Sequence, residues 1–166
     1  MARLESSPGS GGVAPVDPDR FAAAITLRAA QPSVTIALFP DYGTREVLAD
    51  VVEAELRHVG GKSVTRFDVK DADSFEQFLR QPAMEGVAFV MGLEDSLSKV
   101  AARLNAARDE LADRRAVIWL PVDSYAELAR SAPDLVSKSA ASLGEPGCVG
   151  GAATTHELEP ELAALE

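Results

Sequence analysis

Three short apolar-rich runs without a charged residue, separated by longer stretches of helical periodicity, constrain this chain more than any other feature. The runs occupy 34–39, 86–91 and 116–120. Such runs are typical of strands buried on both faces of a parallel sheet. Strands that alternate with helices at short loop spacing pair in parallel through right-handed crossovers. The alternation therefore predicts an α/β fold.

A fourth predicted strand, 64–69, has a different pattern because apolar and charged side chains alternate along it. Phe67 and Val69 face one way, whereas Arg66 and Asp68 face the other. This pattern indicates a half-exposed strand at a sheet edge. With the most apolar strands in the centre, we expect a three-layer sandwich around a mostly parallel sheet of about four strands. The expected strand order is 2-1-3-4, and the architecture P-loop-like or flavodoxin-like.

Apolar residues at helical spacing predict five helices between these strands, at 17–30, 44–58, 73–80, 96–111 and 124–132. Asp73 with Glu76 has the spacing of a capping box that opens a helix. Ser124 with Glu127 has the same spacing. The helix 96–111 has the clearest apolar stripe, formed by Leu97, Val100, Leu104, Ala107 and Leu111.

The chain length of 166 residues accommodates one ordinary domain. Residues 1–16, rich in serine and glycine, are predicted to be a flexible leader. Residues 17–140 carry the α/β alternation and form the predicted domain. Residues 141–166 have no helical or strand period and are acidic, so they are predicted to be a disordered acidic tail.

Charge and composition exclude several classes of function. The net charge of −10 argues against nucleic acid or an anionic membrane as the partner, since both require concentrated positive charge. No apolar run is long enough to span a membrane, and the expected location is the cytoplasm. The single cysteine, Cys148, excludes an intrachain disulfide and a multi-cysteine zinc site. Neither His58 nor His156 has an evident nucleophile partner, so no catalytic residue is predicted.

Two segments bear on phosphate binding. Gly60-Gly61-Lys62-Ser63 resembles the end of a P-loop, but a helix precedes it and a strand follows, which is the reverse of the required context. The segment is therefore interpreted as a helix end followed by a turn. The turn after the first strand, 40–45, has one glycine and no lysine. Neither a nucleotide bound in the usual manner nor any other cofactor is predicted.

Acidic residues follow the predicted strands, and we call this set the acidic edge: Asp41, Asp71, Glu94, Asp95 and Asp123. In open α/β sheets ligands bind beyond the carboxyl ends of the strands. A cation or phosphoryl-transfer site is one interpretation, because hard cations prefer carboxylates. Helix N-caps are the commoner explanation of aspartates at these positions. The third interpretation is a surface for a basic protein partner, and no residue is assigned as a metal ligand.

Four segments of the second half carry a family resemblance: 92–94 (GLE), 104–111 (LNAARDEL), 116–121 (AVIWLP) and 128–135 (LARSAPDL). In this order they resemble a stretch of bacterial STAND-type NTPases and their inactive relatives, over about 34–140. The resemblance implies a sensor or scaffold in bacterial signalling or conflict systems, antiviral defence included. The chain departs from active members because it lacks a Walker A motif.

These observations favour a non-catalytic protein-binding or regulatory module over an enzyme. One alternative is a magnesium-dependent nucleotide-binding or hydrolysing domain that uses Asp41 and Asp123. Another is a substrate or inhibitor in a protease signalling cascade, cut within its leader or tail. The expected partner is another protein with a basic surface.

Overall fold

The computed structural model describes residues 17–82 and 85–143. Its strands are β1 Thr35–Phe39, β2 Val64–Asp68, β3 Val87–Met91, β4 Ala116–Pro121 and β5 Ala140–Leu143. Its α-helices are α1 Pro18–Ala29, α2 Tyr42–His58, α3 Ala72–Arg80, α4 Leu97–Ala106, α5 Arg108–Asp113, α6 Tyr125–Ser131 and α7 Pro133–Lys138. Short 3-10 turns follow β3 and β4, at Leu93–Ser96 and Val122–Ser124.

The five strands form one sheet in the order β2-β3-β4-β1-β5, and every neighbouring pair is parallel. The predicted α/β class with a parallel sheet is confirmed, as is the position of β2 at an edge. The predicted order 2-1-3-4 is wrong, because β1 pairs with β4 on one side and β5 on the other. A strand's apolar character indicates how fully it is covered, but it does not identify its neighbours.

β5 begins at Ala140, the last residue of the predicted domain, and continues the sheet through Leu143. Its register places Ala140 beside Thr35 and Leu143 beside Leu38. The α/β unit therefore extends three residues into the segment predicted as tail. The predicted leader, 1–16, and the remainder of the predicted tail, 144–166, lie outside the described residues.

The sheet separates two buried cores. On one face α1 and α2 pack over alternate side chains of β1 and β4, including Phe39 and Trp119. Trp119 is fully buried, with its ring centroid 5.3 Å from that of Phe89 and 6.0 Å from that of Phe21. Trp119 is therefore a core residue. On the other face the helices from α3 to α7 pack over the intervening side chains.

The predicted helix 96–111 is divided in two at Ala107, where the backbone has φ −88° and ψ 9°. All five residues of its apolar stripe are nevertheless buried in the same core. The stripe is kept because Ala107 and Leu111 continue the row of buried positions of α4 across the break. The predicted packing face is therefore confirmed, although the single helix is not.

Both predicted capping boxes are wrong. The N-cap of α3 is Asp71, whose carboxylate accepts from the backbone N–H of Ser74 at 2.7 Å, and Ser74 Oγ accepts from the N–H of Asp71. Glu76 instead pairs with Arg103 on α4. Ser124 makes no capping hydrogen bond from its side chain, because a 3-10 turn precedes α6.

We expect Leu104→Ala to lower the free energy of unfolding by about 2–5 kcal/mol, because it leaves a cavity in a fully buried core. Chemical denaturation measures this cost. Leu27→Ala is the matched control, since Leu27 on α1 is 78% exposed and its truncation should cost less than about 0.5 kcal/mol. Equal costs for the two variants would show that the stripe does not face the sheet.

Candidate functional site

The helices that follow the neighbouring strands β1 and β4 lie on opposite faces of the sheet. Leu48 of α2, which follows β1, packs on the face covered by α1, whereas Leu128 of α6, which follows β4, packs on the other. Ligands of open α/β sheets bind outside the carboxyl ends of the strands at such a switch point. The loops that border it here are 40–45 and 121–124. The crevice between these two loops is therefore the candidate functional site.

Asp41 is the N-cap of α2 at the switch point. Its Oδ1 accepts from the backbone N–H of Thr44 at 2.8 Å, and its Oδ2 accepts from Thr44 Oγ1 at 2.9 Å. These bonds to Thr44 lower the pKa of the Asp41 carboxyl from its ordinary value. A helix N-terminus in this position commonly binds phosphate through free N–H groups. Here a carboxylate of the chain itself takes that place.

Tyr42 bridges the switch point to the turn after β3. Its hydroxyl donates to Glu94 Oε1 at 3.0 Å, although β4 lies between β1 and β3 in the sheet. This hydrogen bond to Glu94 is the main cause of the raised pKa of Tyr42. The Tyr42 ring packs against Phe39 with centroids 5.6 Å apart, and the guanidinium of Arg45 lies 5.1 Å from its centroid. Sequence analysis missed Tyr42, because only the strand order brings it near Glu94.

Asp71 lies away from the switch point. It follows the edge strand β2, which is separated from β1 by β3 and β4, or about 14 Å at ordinary strand spacing. Its side chain caps α3, and the bonds to Ser74 lower the pKa of its carboxyl. Nearby, Asp68 pairs with Lys70 at 3.2 Å. The structure therefore explains Asp71 by a local capping role.

Asp95 and Asp123 are exposed on the 3-10 turns that follow β3 and β4. Within 17–82 and 85–143, neither carboxylate accepts a hydrogen bond or forms an ion pair. Glu94, which precedes Asp95 on the same turn, uses Oε1 for Tyr42, while its Oε2 is buried and has no hydrogen-bond partner. Unlike Asp41 and Asp71, the carboxylates of Glu94, Asp95 and Asp123 are not explained by helix capping.

The acidic edge is not arranged as a metal centre. In the part of the chain that the structure describes, no three side chains of His, Cys, Asp or Glu come together as a metal site requires. His58 ends α2, where a basic side chain complements the helix dipole. Cys148 and His156 lie outside the described residues.

None of the helices in the described residues combines the length and apolar character that crossing a bilayer requires.

Comparison with protein-family models, with curated proteins and with solved structures finds no significant match to this chain.

We expect the capping contribution of Asp41 to depend on pH. Its folded-state pKa lies below the ordinary 3.8, so its charge stabilises the fold above that value. The contribution is lost as the pH falls through the folded-state pKa. Asp41→Asn, a neutral N-cap, should therefore melt below the wild type at neutral pH, and the difference should shrink in acid.

Thermal melts at a series of pH values measure this difference. Asp113→Asn is the control, since Asp113 is an exposed carboxylate that caps no helix. A melting difference for Asp41→Asn that persists unchanged below pH 3.8 would contradict the charged cap.

Proposed function

We propose that this chain is a non-catalytic, cytoplasmic protein-binding module that takes a basic partner at its acidic edge. The exposed carboxylates of Asp95 and Asp123, which form no ion pair with a described residue, carry the proposal, and the Asp41 cap adds a carboxylate where a phosphate would otherwise bind. A site of this kind repels anions and attracts cations. The resemblance to inactive STAND-type NTPases suggests that the partner belongs to a bacterial signalling or defence system.

The chemistry of the acidic edge supports a protein cation over a metal ion. Its carboxylates are spread along several strand ends rather than grouped around one point. Such a distribution is complementary to the lysine and arginine side chains of a protein partner, because these cations are also distributed over a surface. Asp95 and Asp123 are exposed for this contact. Tyr42, whose ring is about half exposed, adds an apolar surface beside them.

The alternative of a magnesium-dependent nucleotide site would require Asp41 to ligate the cation. Both oxygens of Asp41 already accept hydrogen bonds from Thr44, so a cation would have to share or displace them. The remaining alternative, a substrate or inhibitor of a protease, depends on the leader and tail, which lie almost wholly outside the described residues. No observation of the described residues favours either alternative.

We expect Asp95→Lys with Asp123→Lys to weaken binding of a labelled oligolysine peptide, measured by fluorescence anisotropy at low salt. The variant replaces two exposed carboxylates with cations at the proposed surface. Binding to the wild-type chain should itself weaken as salt rises, because the contact is between exposed charges.

Glu110→Lys with Asp113→Lys, on the exposed side of α5, changes the net charge equally and is the matched control. Its affinity for the peptide should stay close to that of the wild type. If both double variants lose the same affinity, overall charge rather than the acidic edge binds the peptide.

We expect ATP with magnesium to leave the melting temperature unchanged and to release no phosphate above the buffer rate. A ligand that binds the native state raises its melting temperature by mass action. A reproducible rise that disappears in the Asp41→Asn, Asp123→Asn double variant would instead favour the nucleotide-binding alternative.

A further inference from the structure

A second pocket lies at the opposite end of the sheet, where the strands begin. It has a volume of about 480 Å³ and is lined by Gly61, Lys62, Ser63, Glu85, Gly86 and Arg115. These residues come from the loops that precede β2, β3 and β4. The volume is in the range of small-molecule sites. Three residues of the Gly-Gly-Lys-Ser segment, Gly61 to Ser63, therefore line this pocket.

The loops before β2 and β3 are held tightly together. Gly86 has a φ of 140°, and a Cβ there would lie 2.4 Å from Ser63 Oγ and 2.5 Å from Ser63 O. Ser63 Oγ donates to the carbonyl of Glu85 at 2.7 Å, and the N–H of Val87 donates to the carbonyl of Ser63 at 2.8 Å. One wall of the pocket is therefore built by close backbone contact that requires glycine.

Arg115 has a backbone conformation that arginine rarely adopts. Its φ of 48° is in the left-handed region, and no other non-glycine residue in 17–82 or 85–143 has a positive φ. Helices commonly end on glycine in this conformation, because a larger side chain is strained there. Strained residues of this kind are concentrated at functional sites. The side chain of Arg115 is therefore a candidate binding group.

The two arginines after α5 differ in what they contact. Arg114 donates to the carbonyl of Leu79, the penultimate residue of α3, at 2.6 Å and lies over the ring of Phe78. Arg114 therefore has a structural role. Arg115 forms no ion pair with a described residue, and its buried Nε has no hydrogen-bond partner. Complementing the end of a helix therefore explains Arg114 but leaves Arg115 unexplained.

Lys62 is the second cation of the pocket. Its backbone N–H closes the end of α2 by donating to the carbonyl of Leu56 at 2.9 Å, but its half-buried side chain pairs with no described carboxylate. Beside it, Gly61 has a φ of 61° and no atom within 4 Å of its Cβ position. The space next to Lys62 is therefore open to a ligand.

We propose that this pocket binds a phosphate group, either free or carried by a small molecule, between Lys62 and Arg115. A phosphate carries about −1.5 to −2 charges at neutral pH, which matches two cations better than a carboxylate does. The Arg115 guanidinium can donate two parallel hydrogen bonds to it. Glu85 is the one carboxylate in the lining, and it would accept from a hydroxyl of a phosphoester.

Titration of the full chain with inorganic phosphate and, separately, with glycerol 3-phosphate at low salt tests the proposal. Two-dimensional NMR follows the backbone amides of Gly61, Gly86 and Arg115. Saturable shifts confined to the lining of the pocket are expected with both probes. Equal affinities would indicate free phosphate as the ligand, whereas tighter binding of the ester would indicate an organic phosphate.

The Lys62→Ala, Arg115→Asn double variant should bind both probes about tenfold more weakly or worse, since it removes two charge-assisted contacts. Asparagine tolerates the left-handed conformation, so the fold should be kept, and Arg115→Gly alone provides a second variant without strain. The control is Lys99→Ala with Arg130→Asn, two exposed cations outside the pocket, which should bind as the wild type does.

Wild-type amides that do not shift with either probe would overturn the proposal. The same conclusion follows if the control double variant loses as much affinity as the pocket variant, since general attraction to positive charge would then account for the binding.

Discussion

The pairing of β1 with β4 determines the arrangement of every other element. β1 is buried along its whole length. It pairs with β4 along one hydrogen-bonding edge and with β5 along the other. To reach β2 from β1, the chain must cross both β4 and β3, and α2 makes this long crossover on the face shared with α1. The return through β3 and β4 then takes place on the opposite face. The two cores and the switch point both follow from this one pairing.

The same topology separates the charges of the molecule into two edges. Because the sheet is parallel, each helical connection that follows a strand begins at the carboxyl edge of the sheet and ends at the amino edge. Helix dipoles favour acidic side chains at the first and basic side chains at the second. Asp41 and Asp71 satisfy this requirement as caps, and Arg114 satisfies it by binding a terminal carbonyl. Asp95 and Asp123 at the carboxyl edge and Arg115 at the amino edge have no such role in the described residues.

Local patterns predicted the elements well, because each depends on residues close in sequence. The strands β1, β3 and β4 and the buried stripe around Leu104 follow from apolar spacing alone. The strand order was not predicted, because a strand's apolar character indicates how fully it is covered but not which strands flank it. The strand β5 was missed as well, because the segment Ala-Ala-Ser-Leu has too weak an apolar signal to indicate a strand. The contact between Tyr42 and Glu94 depends on that order and was missed with it. The left-handed Arg115 was missed because glycine, not arginine, marks such positions in a sequence.

The position of glycine in the two phosphate-like segments explains why the edges differ in chemistry. At the carboxyl edge the turn 40–45 holds a single glycine, and the Asp41 side chain bonds the first turn of α2, so the segment is closed to anions. At the amino edge Gly61 has a positive φ and open space at its Cβ position beside Lys62, whereas Gly86 permits the close contact with Ser63 that forms one wall of the pocket. The proposed phosphate site therefore lies at the amino edge, whereas at the carboxyl edge the Asp41 carboxylate occupies the helix N-terminus. The residues that line each edge, rather than the α/β architecture, decide which charge it attracts.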